Sequence, residues 1–154
     1  MKVRVELTDG TAEDEVVIRC GRVDDNVRRL CTYITEQAGP ETGLVFLKEN
    51  REYYFPLKNV LFFETEGERV FAHTADDAYL INHRLYELEQ LLPRYFVRVS
   101  KSSIVNVRRV YSVTRDLTSS SLIQFTDSHK QIYASRHYYG ELRHRLQERS
   151  QYEK

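Results

Sequence analysis

The chain has 154 residues, of which 41% are hydrophobic and 30% are charged, a composition typical of a globular domain. Its formal net charge is zero, but residues 1–93 carry a net charge of −7 and residues 94–154 carry +7. No segment approaches the roughly 20 apolar residues of a membrane helix, and the alternating N-terminus differs from a signal peptide. The sequence therefore excludes membrane insertion and predicts a cytoplasmic protein.

Residues 1–40 are predicted to form a small β-β-α unit. The alternation over residues 2–7 is typical of a half-buried strand, and the apolar run at residues 16–18 predicts a second strand. A helix follows, capped by Asp24 or Asp25 and ended by Gly39–Pro40. Its apolar face has the spacing i, i+3, i+4, i+7 and consists of Val27, Leu30, Cys31 and Ile34. Because so small a unit buries little surface alone, we expect it to pack on the rest of the chain or on a second copy of itself.

Residues 43–147 are predicted to form a β-rich domain. Short aromatic and β-branched runs between turn residues predict strands at residues 44–47, 53–55, 60–63, 70–73, 79–81, 96–99, 104–107, 110–113, 122–125 and 131–134. One helix interrupts the strands, with a leucine face that begins at Leu85 and an end at Pro93. A last helix is predicted over residues 138–147, and residues 148–154 are predicted to be a frayed tail.

The sequence contains no residue pattern that predicts catalysis. It has no glycine-rich phosphate loop and no nucleophile elbow, and its histidines are scattered singly. The alternating Glu64, Glu66 and Glu68 are interpreted as a solvated strand face, because acid–base catalysis needs an enclosing pocket. Cys20 and Cys31 have no histidine or cysteine at metal-ligand spacing; we interpret them as small buried thiols, with a regulatory disulfide as the alternative. We therefore expect no enzymatic activity, no metal and no cofactor.

Basic and hydroxyl side chains concentrate in the predicted loops of the second domain. The charge split alone is explained equally well by a patch for a polyanion or by balancing between halves that fold together. The loop placement favours nucleic acid, because such groups bind phosphate oxygens and base edges. The candidate residues are Arg69, Ser100, Lys101, Ser102, Arg108, Arg109, Arg115, Arg136 and His137.

Four blocks in this domain carry a resemblance to a known family. They are Phe55–Leu57 with Val60–Glu64, Leu85–Glu89 with Leu92–Pro93, Phe96–Val107, and Tyr133–Arg136. The block Phe96–Val107 is the most specific, because it joins an aromatic residue, an arginine and a short polar triplet to Ile-Val-Asn. In order and spacing, residues 44–147 resemble the LytTR DNA-binding domain of bacterial response regulators.

The resemblance implies an elongated β-strand sandwich of small stacked sheets that binds duplex DNA without a helix-turn-helix. Family members insert loops into two successive major grooves and bend the DNA. The corresponding loops in this chain are Glu66 to Arg69, which includes Glu68, then Ser100 to Ser102, and Arg136–His137. Lys101 and either Arg136 or His137 correspond to base-contacting positions, while Asn106 is expected to brace the loop.

Two departures from the family pattern shape the functional prediction. Ser100 stands where many members have histidine, which leaves the base preference open, and residues 1–40 are too few for a receiver domain. The sequence therefore predicts a stand-alone bacterial transcription regulator that binds promoter repeats, with residues 1–40 serving dimerisation or signal input. The alternatives are a protein-interaction module that uses the acidic N-terminal half, and an RNA-binding domain with exposed aromatics such as Tyr54.

Overall fold

The computed structural model describes residues 1–10, 15–37, 44–116 and 120–152, and the chain divides into two compact units, Met1–Ala38 and Gly39–Lys154. The first unit contains helix α1 (Asp25–Gln37). The second contains strands β1 (Phe46–Lys48), β2 (Arg51–Tyr53), β3 (Phe62–Glu66), β4 (Arg69–His73), β5 (Ala78–Ile81), β6 (Phe96–Ser100), β7 (Ser103–Asn106), β8 (Val110–Arg115), β9 (Ser120–Phe125) and β10 (Gln131–Ser135). Its helices are α2 (Leu85–Leu91) and α3 (Tyr139–Tyr152). Every strand predicted for residues 43–147 overlaps an observed one, so the mainly β fold is confirmed.

In the first unit the predicted helix is present, but the predicted strands are not. The backbone N–H of Val27 donates to Asp24 Oδ1 over 2.9 Å, which makes Asp24 the N-cap. Residues 1–10 and 15–24 contain no strand, and Val3 and Leu7 are 90% and 97% exposed. Alternation alone does not make a strand, because a strand also needs a neighbour to pair its backbone groups.

The exposure of the two cysteines also differs from what the sequence predicted. Cys20 and Cys31 are exposed and form no disulfide, so their interpretation as buried thiols was wrong. Of the predicted apolar face of α1, Val27 is buried, whereas Leu30 and Ile34 are half-buried. The helical period identifies the residues that share a face, but coverage of that face depends on a packing partner.

The larger sheet of the second unit is the middle layer of its structure. Its seven antiparallel strands have the order β2-β1-β5-β4-β3-β7-β6. Successive side chains of β3 point to opposite faces, and both Phe62 and Phe63 are buried because both faces are covered. Phe62 packs in a core with Phe125 of the smaller sheet, whereas Phe63 packs in a core with Leu88 of α2.

The smaller sheet has the order β10-β9-β8 and shares its core with α3. Leu142 of α3 is fully buried against Ile123 and Phe125. Two residues beyond the predicted helix end at Gln147 also hold α3 to the domain. Glu148 pairs with Arg94 over 2.6 Å, and Arg149 Nη1 donates to the carbonyl of Val107 over 2.6 Å. These contacts explain why α3 continues to Tyr152 where the sequence predicted a frayed tail; residues 153–154 lie outside the described residues.

Asn106, the last residue of β7, is fully buried and joins two segments of the backbone. Its Nδ2 donates to the carbonyl of Val60 over 2.9 Å, and its Oδ1 accepts from the N–H of Arg108 over 3.0 Å. Asn106 thus braces backbone segments, but not the Lys101 turn that it was expected to brace. It acts at the end of β7 that lies opposite the turn containing Lys101.

His73, at the end of β4, links the two sheets in a partly buried polar cluster. Its ring stacks on Phe62 with centroids 4.4 Å apart, and its Nδ1 lies 3.2 Å from Lys130 Nζ. Lys130 also donates to the carbonyl of Asp77. Burial, aided by the charge of Lys130, lowers the pKa of His73 to about 4, so its imidazole is neutral in the folded protein near neutral pH.

This histidine predicts a loss of stability in acid. Between pH 6.5 and about 4 the unfolded chain binds a proton at this position that the folded chain does not bind. The free energy of unfolding should therefore decrease as the pH falls through this range, by about 2–3 kcal/mol from His73. Urea unfolding of the wild type and of His73→Gln across this range measures the effect. Equal decreases in the two proteins would contradict the assignment.

Candidate nucleic-acid interface

Two turns lie side by side at one end of the larger sheet. The first joins β3 to β4 and contains Gly67, whose φ of +64° is a backbone conformation that glycine adopts without strain. The second joins β6 to β7 and contains Lys101 and Ser102. Because β3 pairs with β7, the turns are neighbours, and the N–H of Thr65 donates to the carbonyl of Ser102 over 2.9 Å. The structure thus brings the first two predicted loops together.

The turn between β6 and β7 presents Lys101 to solvent. Its strand pairing shifts register between Arg98 and Ser100, and the N–H of Ser102 donates to Ser100 Oγ over 3.2 Å. Lys101 and Ser102 are exposed, whereas Ser100 is half-buried. Ser100 therefore shapes the turn, while the side chain of Lys101 is available to a partner.

The turn after β10 carries Arg136 and His137, and both side chains are exposed. The N–H of Tyr138 donates to the carbonyl of Ser135 over 3.1 Å, which closes the turn before α3 begins. The exposed Arg115, at the end of β8, lies over the ring of Tyr139, with its guanidinium carbon 4.5 Å from the ring centroid. Arg115 thus belongs to the same end of the smaller sheet as Arg136.

A hydrogen bond and a shared cleft indicate where this third turn lies relative to the other two. At the opposite end of β10, Ser128 Oγ donates to the carbonyl of Ala75, in the loop after β4. Strand β10 runs away from that contact towards Arg136. Tyr138, two residues after Arg136, lines a cleft of about 440 Å³ together with Arg98 of β6. The third turn therefore lies beside the strand that leads into the Lys101 turn.

Arg108 and Arg109 are not part of this group of turns. They follow β7, at the end of that strand away from Lys101. The Arg108 guanidinium carbon lies 4.6 Å from the centroid of the Tyr95 ring, and Arg109 Nη1 donates to the carbonyl of Lys58 over 3.0 Å. Both side chains are half-buried and make contacts within the domain.

The β3–β4 turn also carries negative charge. Glu68 and Arg69 are exposed and adjacent, and Glu66 lies opposite Arg69 in the strand pairing. Burial, followed by the nearby charge of Glu66, raises the pKa of Glu64. A partner of this turn therefore meets both hydrogen-bond acceptors and a cation. A carboxylate among cations is compatible with a DNA groove, since glutamate accepts a hydrogen bond from the amino group of cytosine.

Arg98 is a site residue that the sequence reasoning did not single out. Its Nε donates to the carbonyl of Ser100 over 2.9 Å and its Nη2 to the carbonyl of Lys101 over 2.5 Å. Arg98 belongs to the most specific sequence block, but the sequence does not show where its side chain points. The bulge before Ser100 determines which backbone groups the side chain reaches.

The described residues were also searched for membrane-spanning helices and for groups of side chains that could hold a metal ion. No helix among residues 1–10, 15–37, 44–116 and 120–152 is long and apolar enough to cross a membrane. The same ranges contain no group of three or more His, Cys, Asp or Glu side chains that could hold a metal ion.

The second unit is a β-rich domain that presents a set of exposed polar turns near one end of its larger sheet. Residues 50–147 match the LytTr DNA-binding domain family, and the chain belongs to that family. Its fold also matches the LytTr DNA-binding domain of a Bacillus cereus protein described as a methyl-accepting/DNA response regulator. That match has a TM-score of 0.61 and 22% identity, and it covers 66% of this chain and 94% of the other.

Proteins of similar length are found in Staphylococcus aureus. An uncharacterized HTH-type transcriptional regulator of strain NCTC 8325 is 27% identical over 146 residues, covering 95% of this chain and 98% of the relative. A regulator of the same description from strain N315 is 26% identical over the same length. The described part of the second unit has its two helices, α2 and α3, separated by five strands, which is not the arrangement of a helix-turn-helix.

Proposed function

We propose that this chain is a bacterial transcription regulator that binds duplex DNA by inserting loops into successive major grooves of repeated promoter sites. The observation that carries the proposal is the grouping of the Gly67, Lys101 and Arg136 turns around β3, β6 and β7. Exposed cations and hydroxyls on turns of rigid strands suit phosphate oxygens and base edges. Lys101 and Arg136 are proposed to read bases. The β3–β4 turn with Glu68 and Arg69, and Ser102 and Arg115, would complete the contact, and His137 is an alternative base-reading residue.

Competition between nucleic acids tests this proposal. Full-length protein is mixed with labelled duplexes selected from a random pool, and unlabelled duplex DNA, single-stranded DNA and RNA are compared as competitors. We expect duplex DNA to compete best. About six phosphate contacts should give a slope near −5 for log affinity against log salt concentration. Preference for single strands would instead support RNA binding, and failure to bind any of the three would support a protein-interaction module.

We also propose that residues 1–40 pair two copies of the chain, which would suit repeated sites. Val3, Val5 and Leu7 are 90%, 84% and 97% exposed, and their alternation would put them on one face of a strand. Pairing such a segment with its copy would satisfy backbone groups and cover apolar side chains at once. Cytoplasmic residence is part of the same proposal, since promoter DNA is found there.

Sedimentation equilibrium measures this assembly. We expect the wild type to be a dimer and the triple serine variant at Val3, Val5 and Leu7 to be a monomer. A matched control replaces the intervening Lys2, Arg4 and Glu6 with serine and should remain dimeric. A monomeric wild type at the concentrations used for DNA binding would refute the pairing of residues 1–40.

A further inference from the structure

Arg98, in the middle of β6, connects the Lys101 turn to helix α2. Besides its two hydrogen bonds to the carbonyls of Ser100 and Lys101, its Nη1 donates to Glu89 Oε2 of α2 over 3.1 Å. The Arg98 side chain is 20% exposed, which limits competition from water for these bonds. One guanidinium therefore fixes two successive carbonyls of the turn and anchors them to a helix.

The turn needs such an anchor because its strand pairing is irregular. The register shift between Arg98 and Ser100 takes the backbone out of the regular ladder just before Lys101. Carbonyls at a bulge need other hydrogen-bond donors, and the planar guanidinium supplies several in a fixed geometry. A lysine at this position would keep the charge but could not reproduce that geometry, because its ammonium is a single flexible point of contact.

We infer that Arg98 is a positioning residue for DNA recognition, an inference that rests on the proposed function. It does not contact DNA itself. It holds the Lys101 turn in the conformation that reads bases, and Glu89 of α2 orients its guanidinium. The carbonyls of the turn, rather than phosphates, are the partners of its charge.

The test compares wild type, Arg98→Lys, Lys101→Ala and the double variant, all full length. Fluorescence anisotropy measures affinity for a selected duplex and for a scrambled duplex of equal length. Arg98→Lys should lower the ratio of the two affinities about tenfold. Arg98→Gln, a further variant that removes the positive charge, should leave the salt slope unchanged, because Arg98 contacts no phosphate. Arg98→Lys should also add little to the loss caused by Lys101→Ala, because both act through one turn.

A readout without DNA separates this inference from the proposed function. In the free protein, the backbone amides of Ser102 and Thr65, which donate to Ser100 Oγ and to the carbonyl of Ser102, should exchange with solvent faster in Arg98→Lys than in wild type. Arg51→Lys is the matched control, because Arg51 is exposed on β2 at the far edge of the sheet, and it should change neither quantity.

A wild type that prefers no duplex refutes the proposed function and, with it, any role of Arg98 in reading DNA. A wild type that discriminates normally, with Arg98→Lys discriminating equally well, refutes the positioning role alone. Additive losses in the double variant, or a salt slope reduced by about 1 in Arg98→Gln, would make Arg98 a direct contact and also overturn the inference. Unchanged amide exchange in Arg98→Lys would overturn the positioning of the turn.

Discussion

The double variant Lys101→Ala/Arg136→Ala is expected to lose about 2–6 kcal/mol of binding free energy for a selected duplex, since each base-reading contact contributes about 1–3 kcal/mol. Both side chains are exposed and stand on turns whose backbones are held by hydrogen bonds, so their removal should leave the fold intact. Affinity for a scrambled duplex should decrease much less, because it depends on phosphate contacts. Fluorescence anisotropy with the two duplexes measures the difference.

A control variant distinguishes the effect of removing two positive charges from the effect of removing two contacts to bases. The control variant Arg51→Ala/Lys58→Ala removes the same charge from two exposed positions outside the group of turns. Arg51 lies on β2 at the far edge of the sheet, and Lys58 lies beside Arg109, at the end of β7 away from Lys101. We expect it to retain discrimination between the two duplexes. If both double variants lowered the two affinities in parallel, Lys101 and Arg136 would be phosphate contacts rather than base readers.

Asn106→Ala is expected to lower the free energy of unfolding by about 2–5 kcal/mol. The substitution would leave the buried carbonyl of Val60 and the N–H of Arg108 without their present partners, and each unsatisfied buried group costs about 1–3 kcal/mol. Urea unfolding, followed by far-ultraviolet circular dichroism, measures the change.

The matched control for this prediction is Asn82→Ala, which makes the same chemical change at an exposed position. It should alter the free energy of unfolding by less than about 0.5 kcal/mol. Similar effects of the two substitutions would mean that the buried hydrogen bonds of Asn106 do not contribute specifically to stability. Because Asn106 lies at the opposite end of β7 from Lys101, a folded Asn106→Ala protein should still discriminate between duplexes.

The local sequence pattern was sufficient to predict those strands and turns that are formed by residues adjacent in the chain. In the block from Phe96 to Val107, apolar alternation predicts two strands and the polar triplet predicts the turn between them, so the exposed Lys101 followed from the sequence. The mainly β fold of residues 43–147 was predictable for the same reason. A strand's alternation and a turn's residue types are properties of adjacent positions.

The local sequence pattern did not predict the position or pairing of residues whose contacts come from distant parts of the chain. Charge alone grouped Arg108 and Arg109 with the predicted DNA-contacting loops, whereas the structure places them at the other end of β7, where Arg108 contacts Tyr95 and Arg109 contacts Lys58. Their contact with DNA stays a prediction. The alternation of Val3 and Leu7 predicted a strand that is not formed, because no segment of the described residues pairs with it.

The sequence by itself determined the class of the fold, the family and the exposed turns with Lys101 and Arg136. Only the tertiary structure decided which arginines are available to a partner, and it revealed that Arg98 holds the Lys101 turn. The physical reason is that periodicity encodes which residues share a face. Whether a side-chain donor already has an acceptor within the protein depends on backbone groups from distant parts of the chain. Arg149, for example, donates to the carbonyl of Val107.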